Sequence, residues 1–209
     1  MEARTSISKQ DLRAQLKGAR RQWLASASAQ KDQWDFEICK RLAQVLERLR
    51  PGDAASEPAF VALYRAQAWE VNPQSVVSMT EGWSWAYPRV EGQELGFYSP
   101  NSEAGFAKGA FGIEEPVVPQ AKPVSLDRCA ALVAPAVGFD SRGQRLGSGQ
   151  GFYDRSLQGY SGLKIGLAYS VQIYAGEFPS EEHDVPMDVV ITEEAILNNG
   201  FDGQIKTAQ

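Results

Sequence analysis

With 26 Asp+Glu against 21 Lys+Arg and a net charge of -5, the 209-residue chain does not present the basic surface that nucleic acid requires. Its length, with 43% hydrophobic residues, suffices for one well-filled core and is short for two, so a single domain spanning 1–209 is expected. No apolar run approaches a membrane span, no signal-peptide pattern opens the chain, and the two cysteines, Cys39 and Cys129, read as buried hydrophobes. The expectation is a soluble, cytoplasmic, monomeric protein.

The first fifty residues hold 11 Lys+Arg and 6 Asp+Glu, against 10 and 20 in the remainder, which marks residues 1–50 as a basic helical arm. Ser8 is placed to cap a helix beginning at Lys9, with Asp11 three residues on and Ile7 positioned to staple onto Leu12. Leu12, Leu16, Ala19 and Trp23 form an apolar stripe, and Lys9, Arg13, Lys17 and Arg20 form a basic stripe beside it, read as solvated unless a ligand claims it. Trp34, Ile38, Leu42, Val45 and Leu49 define a second helix that stops at Arg50-Pro51-Gly52.

Phe60 to Tyr64 reads as a strand, and a helical turn starts near Asn72-Pro73 and runs through Met79. Ser84–Arg89 and Glu94–Tyr98 flank a short polar turn with Gly92, a hairpin. Ser99 to Lys122, rich in Gly, Pro, Ser and Glu, is expected to be a long, partly mobile loop able to cover a site. Ala130 to Phe139 is a nearly unbroken apolar run, the pattern of a strand buried on both faces. Beyond it lie a helix from Phe152 to Leu157, a strand from Lys164 to Tyr169, a short helix near Val171–Ala175, a turn at Pro179–Asp184, a strand at Val189–Thr192 and a loose tail over 198–209. Strands alternating with helices predict a layered α/β fold, whose ligands gather at the C-terminal strand ends.

The most informative segment is Arg145-Leu146-Gly147-Ser148-Gly149-Gln150-Gly151-Phe152-Tyr153-Asp154-Arg155. Glycines at alternate positions let the backbone adopt positive φ and approach a ligand, so that successive N–H groups can face anionic oxygens. A dinucleotide fingerprint needs glycine where Phe152 stands, and a Walker loop needs Gly-Lys-Ser/Thr, so neither applies. Spacing alone fits a structural turn equally well. Arg145 and Asp154 around the glycines favour a triphosphate with magnesium, which requires both signs of charge close together.

The stretch from Val133 through Asp140 to Arg155 resembles the signature of the 5-formyltetrahydrofolate cyclo-ligase, or methenyltetrahydrofolate synthetase, family. The resemblance continues through Lys164–Tyr169 and Glu182–Glu193, with weaker matches at Lys9, Leu12-Arg13, Ala62–Tyr64, Trp69–Val71 and Gly112–Pro116. It implies a single-domain α/β fold, a three-layer Rossmann-like sheet with helices on both faces. It also implies ATP-dependent closure of 5-formyltetrahydrofolate to 5,10-methenyltetrahydrofolate, with magnesium as cofactor and ATP and a reduced folate as partners.

By that resemblance Lys9, Arg13, Arg145, Gly147, Ser148, Gly149, Gln150, Gly151, Phe152 and Tyr153 belong to the nucleotide site. Glu70 contacts folate together with Ser148, Gly149, Gln150, Gly151 and Phe152, although some relatives carry basic residues where Ser148 and Gln150 stand. Asp154 and Asp184 match the metal positions, and Arg145 and Asp154 are the catalytic pair. His183, the single histidine, is read as a loop cap or a proton carrier, and Lys17 and Arg20 as solvated residues or attractors of an anionic folate tail. A folate-binding module without phosphoryl transfer and a sugar-phosphate or acyl-CoA enzyme on a similar sheet are the competing readings.

Overall fold

The computed structural model describes residues 7–50 and 59–198. Its helices are α1 (Lys9–Ser26), α2 (Lys31–Leu49), α3 (Val76–Met79) and α4 (Phe152–Leu157). Its strands are β1 (Ala59–Ala62), β2 (Trp83–Glu91), β3 (Glu94–Pro100), β4 (Phe106–Lys108), β5 (Glu114–Pro116), β6 (Ala121–Pro123), β7 (Cys129–Pro135), β8 (Gly138–Asp140), β9 (Arg145–Leu146), β10 (Leu163–Leu167), β11 (Ile173–Tyr174), β12 (Val189–Ile191) and β13 (Ile196–Asn198). Eight strands form the main sheet in the order β13-β12-β10-β7-β1-β2-β3-β6. The five from β12 to β2 run parallel, and the flanking pairings are antiparallel.

Side-chain alternation divides the core into two layers. On β1 and β7, Val61, Ala131 and Val133 face the cluster built with Ile38, Leu42, Val45 and Leu49 of α2. Their neighbours Phe60, Ala62, Leu132 and Ala134 face the opposite cluster, which holds Leu157 of α4. Strands with apolar residues on both faces must be covered on both, and helices cover them here, giving the three-layer α/β arrangement. Both cysteines are buried and free; burial pushes the Cys39 thiol to about 11 and that of Cys129 to about 12, so neither offers a thiolate near neutrality.

At the start of α1 the Ser8 hydroxyl accepts from the Asp11 N–H at 3.1 Å, as its sequence position foretells. Ile7, by contrast, is largely exposed rather than stapled into the core. Of the apolar stripe, Leu12 and Leu16 are fully covered and Ala19 and Trp23 partly so. α2 ends at Leu49, while Pro51 and Gly52 of the expected stop lie outside the described residues, as does the expected loose tail after Asn198.

Three expectations need correction. The run Ala130–Phe139 is two strands: after Pro135 the chain leaves the main sheet, and β8 pairs with β9 and β11 in a separate three-stranded sheet. Pro135 lacks the N–H that would prolong the ladder, and the covered faces of both strands made the break invisible to hydropathy. Residues 99–122 are largely structured, because β6 extends the main sheet along β3 and β4 and β5 form a hairpin of their own. The helix expected near 171–175 is a single 3₁₀ turn, Ser170–Gln172, followed by β11.

α1 packs on the small sheet, burying Leu12 and Leu16 with Val137, Leu146 and Phe178. The approach is close at Gly138, where a Cβ would stand 2.6 Å from Leu16 Cδ1 and 2.7 Å from the Gln172 carbonyl oxygen. Gly138→Ala is therefore expected to lower stability by about 1–3 kcal/mol, the cost of forcing a methyl into a filled interior. Urea denaturation checks this, and an unchanged midpoint would show that α1 tolerates displacement.

Candidate functional site

Two cavities open at the C-terminal ends of the parallel strands, where the chain, having turned to one side of β1 to form β2, crosses back to form β7. Ligand crevices in open α/β sheets form at such switch points, because neighbouring connections leave in opposite directions. The larger cavity, about 770 Å³, is walled by residues following β1 (Tyr64, Trp69, Glu70), by Pro135–Val137 after β7, and by one side of α1. The smaller, about 150 Å³, is lined by Lys9 and Arg13 of α1, by Gly149 and Asp154, and by Glu181, His183 and Asp184. Arg145, Gly147 and Gly151 belong to both walls, so the glycine loop is the partition between them.

The loop's conformation follows from its glycines. Gly149 has φ +108° and Gly151 φ +70°, values L side chains rarely adopt, and Gly151 is the residue from which α4 starts. Gly147 serves close approach: a Cβ there would lie 2.9 Å from Arg145 Nη1, so its absence lets the guanidinium fold beneath its own loop. Ser148, Gln150, Phe152 and Tyr153 line the large cavity, whereas Gly149 and Asp154 line the small one.

Arg145 is buried, donating through Nη2 to Asp154 Oδ1 at 2.6 Å and through Nη1 to the Pro135 carbonyl at 3.3 Å. Its Nε–H is a buried donor with no partner among the described residues. An unpaired buried donor is costly, and an anionic oxygen is the acceptor that would satisfy it best. Arg155, the other arginine flanking the glycines, faces away and donates to the carbonyls of Gln93 and Gln150, pinning the loop to the β2–β3 turn.

α1 supplies cations to the small cavity. Lys9 Nζ lies 2.6 Å from Asp184 Oδ2 and 3.1 Å from Glu181 Oε2, and Arg13 Nε donates to the Gly147 carbonyl at 2.9 Å. Ion pairing with Asp184 and Glu181 outweighs partial burial and raises the Lys9 pKa, so its charge is secure. Asp184 Oδ2 also accepts from the Glu181 N–H at 2.8 Å, which fixes the turn. His183 sits at the rim with Nε2 3.0 Å from Glu181 Oε2. Ligating atoms of Glu181, His183 and Asp184 fall within 4.8 Å of one another, a group that does not include Asp154.

Glu70 stands in the large cavity, outside the smaller one, and its Oε2 accepts from the Gln67 N–H at 2.9 Å. Burial raises its pKa by penalising the charged form, opposed by that hydrogen bond and by the positive charges of Arg20 and Lys31. Tyr169 braces the same corner: its hydroxyl lies 2.7 Å from Asp35 Oδ1 and 3.2 Å from the Glu70 carbonyl, and its ring is 5.0 Å from that of Trp23, which stacks on Trp34. Phe111 hangs over the mouth, 63% exposed at φ +61° and edge-on to Phe152 at 6.0 Å.

The structure thus gathers Lys9, Arg13, Arg145, Asp154 and Asp184 at one cavity and sets Glu70, Ser148, Gln150, Phe152 and Tyr153 on the other. Glu181 was missed, though its place three residues before Asp184 in a turn was a signal. Arg20, read as solvated or as an attractor of an anionic folate tail, is 6% exposed and lines the large cavity. The helical angle of α1 turns it inward with Leu12 and Leu16, a placement hidden by its charge.

Fold and site together define an α/β protein in which a small cavity lined by charged residues of both signs adjoins a larger, partly apolar one. A profile of the 5-formyltetrahydrofolate cyclo-ligase family matches residues 5–193, and the chain belongs to that family. It is 39% identical to the 5-formyltetrahydrofolate cyclo-ligase of Escherichia coli K12 over 98 residues, which is 46% of this chain and 52% of that one. The corresponding Haemophilus influenzae protein is 41% identical over 85 residues, 39% of this chain and 45% of that one. The chain therefore aligns with about half the length of these curated relatives. The solved 5,10-methenyltetrahydrofolate synthetase of Aquifex aeolicus superposes with a TM-score of 0.77 at 28% identity over 97% of both chains. That of Mycoplasma pneumoniae shares the fold, with a TM-score of 0.66 at 24% identity over 90% of this chain and 99% of that one.

Asp154 is the counter-charge of a buried arginine, so its removal strands that cation. Asp154→Ala is expected to lower stability by about 2–4 kcal/mol, and adding Arg145→Met to recover much of the loss. A double-mutant cycle in urea measures the coupling, and additive losses would mean the pair contributes nothing jointly.

Proposed function

We propose that this protein converts 5-formyltetrahydrofolate and ATP to 5,10-methenyltetrahydrofolate, ADP and phosphate. The observation that carries the reading is the shared glycine wall: a charged pocket of phosphate size and a larger pocket of folate size meet at one loop, so a terminal phosphoryl group on one side can be handed to an oxygen on the other. Family membership supplies the substrate class.

An amide oxygen is a poor leaving group, which is why the reaction consumes ATP. The formyl oxygen attacks the γ-phosphorus as the bond to ADP breaks. N10 then attacks the formyl carbon, loses its proton, and the C–O bond breaks with departure of phosphate, leaving the methenyl bridge. No covalent enzyme intermediate is needed, so the protein's work is placement and charge control.

In this reading Lys9, Arg13 and Arg145 hold the phosphates, and the unpaired Arg145 Nε–H takes an oxygen of the transferred group. Asp154 and Asp184, hard oxygen donors on the wall of the same cavity, suit magnesium, whose few protein ligands are completed by water and phosphate oxygens. An ion held by Asp154 and Asp184 would supply positive charge to offset the negative charge of the phosphates. The ion pairs Arg145–Asp154 and Lys9–Asp184 balance the charge of these groups. With nucleotide bound, the cations turn to phosphate and the carboxylates are freed. Glu70 accepts from the donor edge of the pterin, and the glycine loop with Ser148, Gln150 and Phe152 borders the formyl group.

Purified protein with 5-formyltetrahydrofolate should develop the near-ultraviolet absorbance of the methenyl product only with ATP and magnesium together. Asp154→Ala should reduce that rate by at least about a hundredfold, the scale of losing one stabilising group at a reacting centre. Full activity of the variant would remove Asp154 from the mechanism, and folate binding without ATP consumption by the unaltered protein would favour a binding module instead.

Glu70 gives a separate test. A carboxylate acceptor must be ionised, and because its pKa is raised, folate binding should be weak below that pKa and strengthen as pH rises through it, above the ordinary value of about 4.3. Calorimetric titration without nucleotide from pH 4 to 8 should show this limb, and Glu70→Gln should flatten it. A limb that persists in the variant would assign it to another group.

A further inference from the structure

Arg20 has no role in the family resemblance, yet its burial is unusual for a free cation. It is 6% exposed on the wall of the large cavity and makes no ion pair among the described residues. Its one hydrogen bond among the described residues, from Nη1 to the Ala136 carbonyl, is 3.3 Å long. Gln172 Nε2 already donates to that same oxygen at 3.0 Å, so capping a carbonyl does not explain an arginine here. A guanidinium carries five N–H donors, and taking it out of water with one weak bond is costly unless an acceptor arrives.

Its neighbourhood says which acceptor. Arg20 and Glu70 sense each other electrostatically without touching, and both border the large cavity. Arg20 lies one helical turn before Trp23, whose ring meets Tyr169, whose hydroxyl in turn reaches the Glu70 carbonyl. An anion and a cation held apart on one wall complement a ligand with donors and an acceptor side by side. The pterin of a folate has that edge: N3–H and the 2-amino group donate, and the 4-oxo group beside them accepts.

Resting on the folate reading of this cavity, we propose that Arg20 donates to the 4-oxo group of the bound pterin and is the residue that selects oxo-pterins. Glu70 alone accepts from the ring's donors and tolerates an amino group at position 4, because that group is itself a donor. A cation at the next position rejects it, since two donors cannot satisfy each other. Specificity then comes from pairing the polar groups, and losing one partner of a buried polar contact costs most.

The test compares binding of 5-formyltetrahydrofolate with that of its 4-amino-4-deoxy counterpart, each titrated calorimetrically without ATP. Unaltered protein should prefer the oxo compound, and Arg20→Met should lower that preference at least about tenfold by weakening oxo binding while sparing amino binding. Arg20→Lys, which keeps a cationic donor, should retain part of it, and Arg20→Gln serves if the methionine variant does not fold. The apparent KM for ATP should stay unchanged. Equal preference ratios in the variants and the unaltered protein would overturn the assignment while leaving the functional reading intact. Failure of the unaltered protein to bind either compound would sink both.

Discussion

Folding a guanidinium beneath its own backbone loop is the constraint on which the site depends. Arg145 is nearly dehydrated, and taking a cation out of water is costly without a counter-charge and acceptors for its donors. Asp154 provides the first, and the Pro135 carbonyl, exposed because the chain leaves the main sheet there, provides part of the second. The loop then has to pass over the guanidinium, which a side chain at 147 would crowd, and turn into α4 through positive φ at 149 and 151. One buried charge thereby fixes the glycine spacing, the kink after β7 and the position of the carboxylate that opens α4.

This explains what the sequence made legible and what it did not. The glycine pattern, the flanking charges and the two-faced apolar strands are local consequences of tight turns and double burial, so they could be read residue by residue. Lys9, Arg13 and Asp184 could be assigned only through likeness to a family, since nothing local says that residues 175 positions apart meet at 2.6 Å. The break at Pro135 was obscured because both halves are apolar, and hydropathy reports burial but not which sheet does the burying. The small strands over 99–122 were obscured for the opposite reason: their composition is that of a loop, and pairing with β3 and within the β4–β5 hairpin creates order that propensity does not encode.

Arg20 shows the same limit from the side of charge. A helical wheel places it on an edge between an apolar and a basic stripe, and solvation is the ordinary expectation for arginine there. The second layer reverses this: the small sheet and the turn at Ser170–Gln172 cover that flank of α1, and the only relief for the guanidinium is inward, toward the cavity. Charge balance differs between the two chambers as a result. The small one pairs each of Lys9 and Arg145 with a carboxylate, while the large one holds Arg20 and Glu70 apart.

α1 therefore acts as a ruler across both chambers. Lys9 and Arg13 reach the small cavity from its first turns, and Arg20 reaches the large one 11 residues from Lys9, about 16 Å along the axis at 1.5 Å per residue. In the proposed reaction, that span would lie between a nucleotide's phosphates and the far edge of a pterin whose formyl group meets the partition. Because one rigid element carries cations to both cavities, any sliding of α1 would misplace them together. The close contact of Leu16 with Gly138 is the feature that holds its height over the small sheet. Packing outside the cavities thus sets the relative placement of their cationic groups, which is the contribution the proposed reaction, with no covalent enzyme intermediate, would most require.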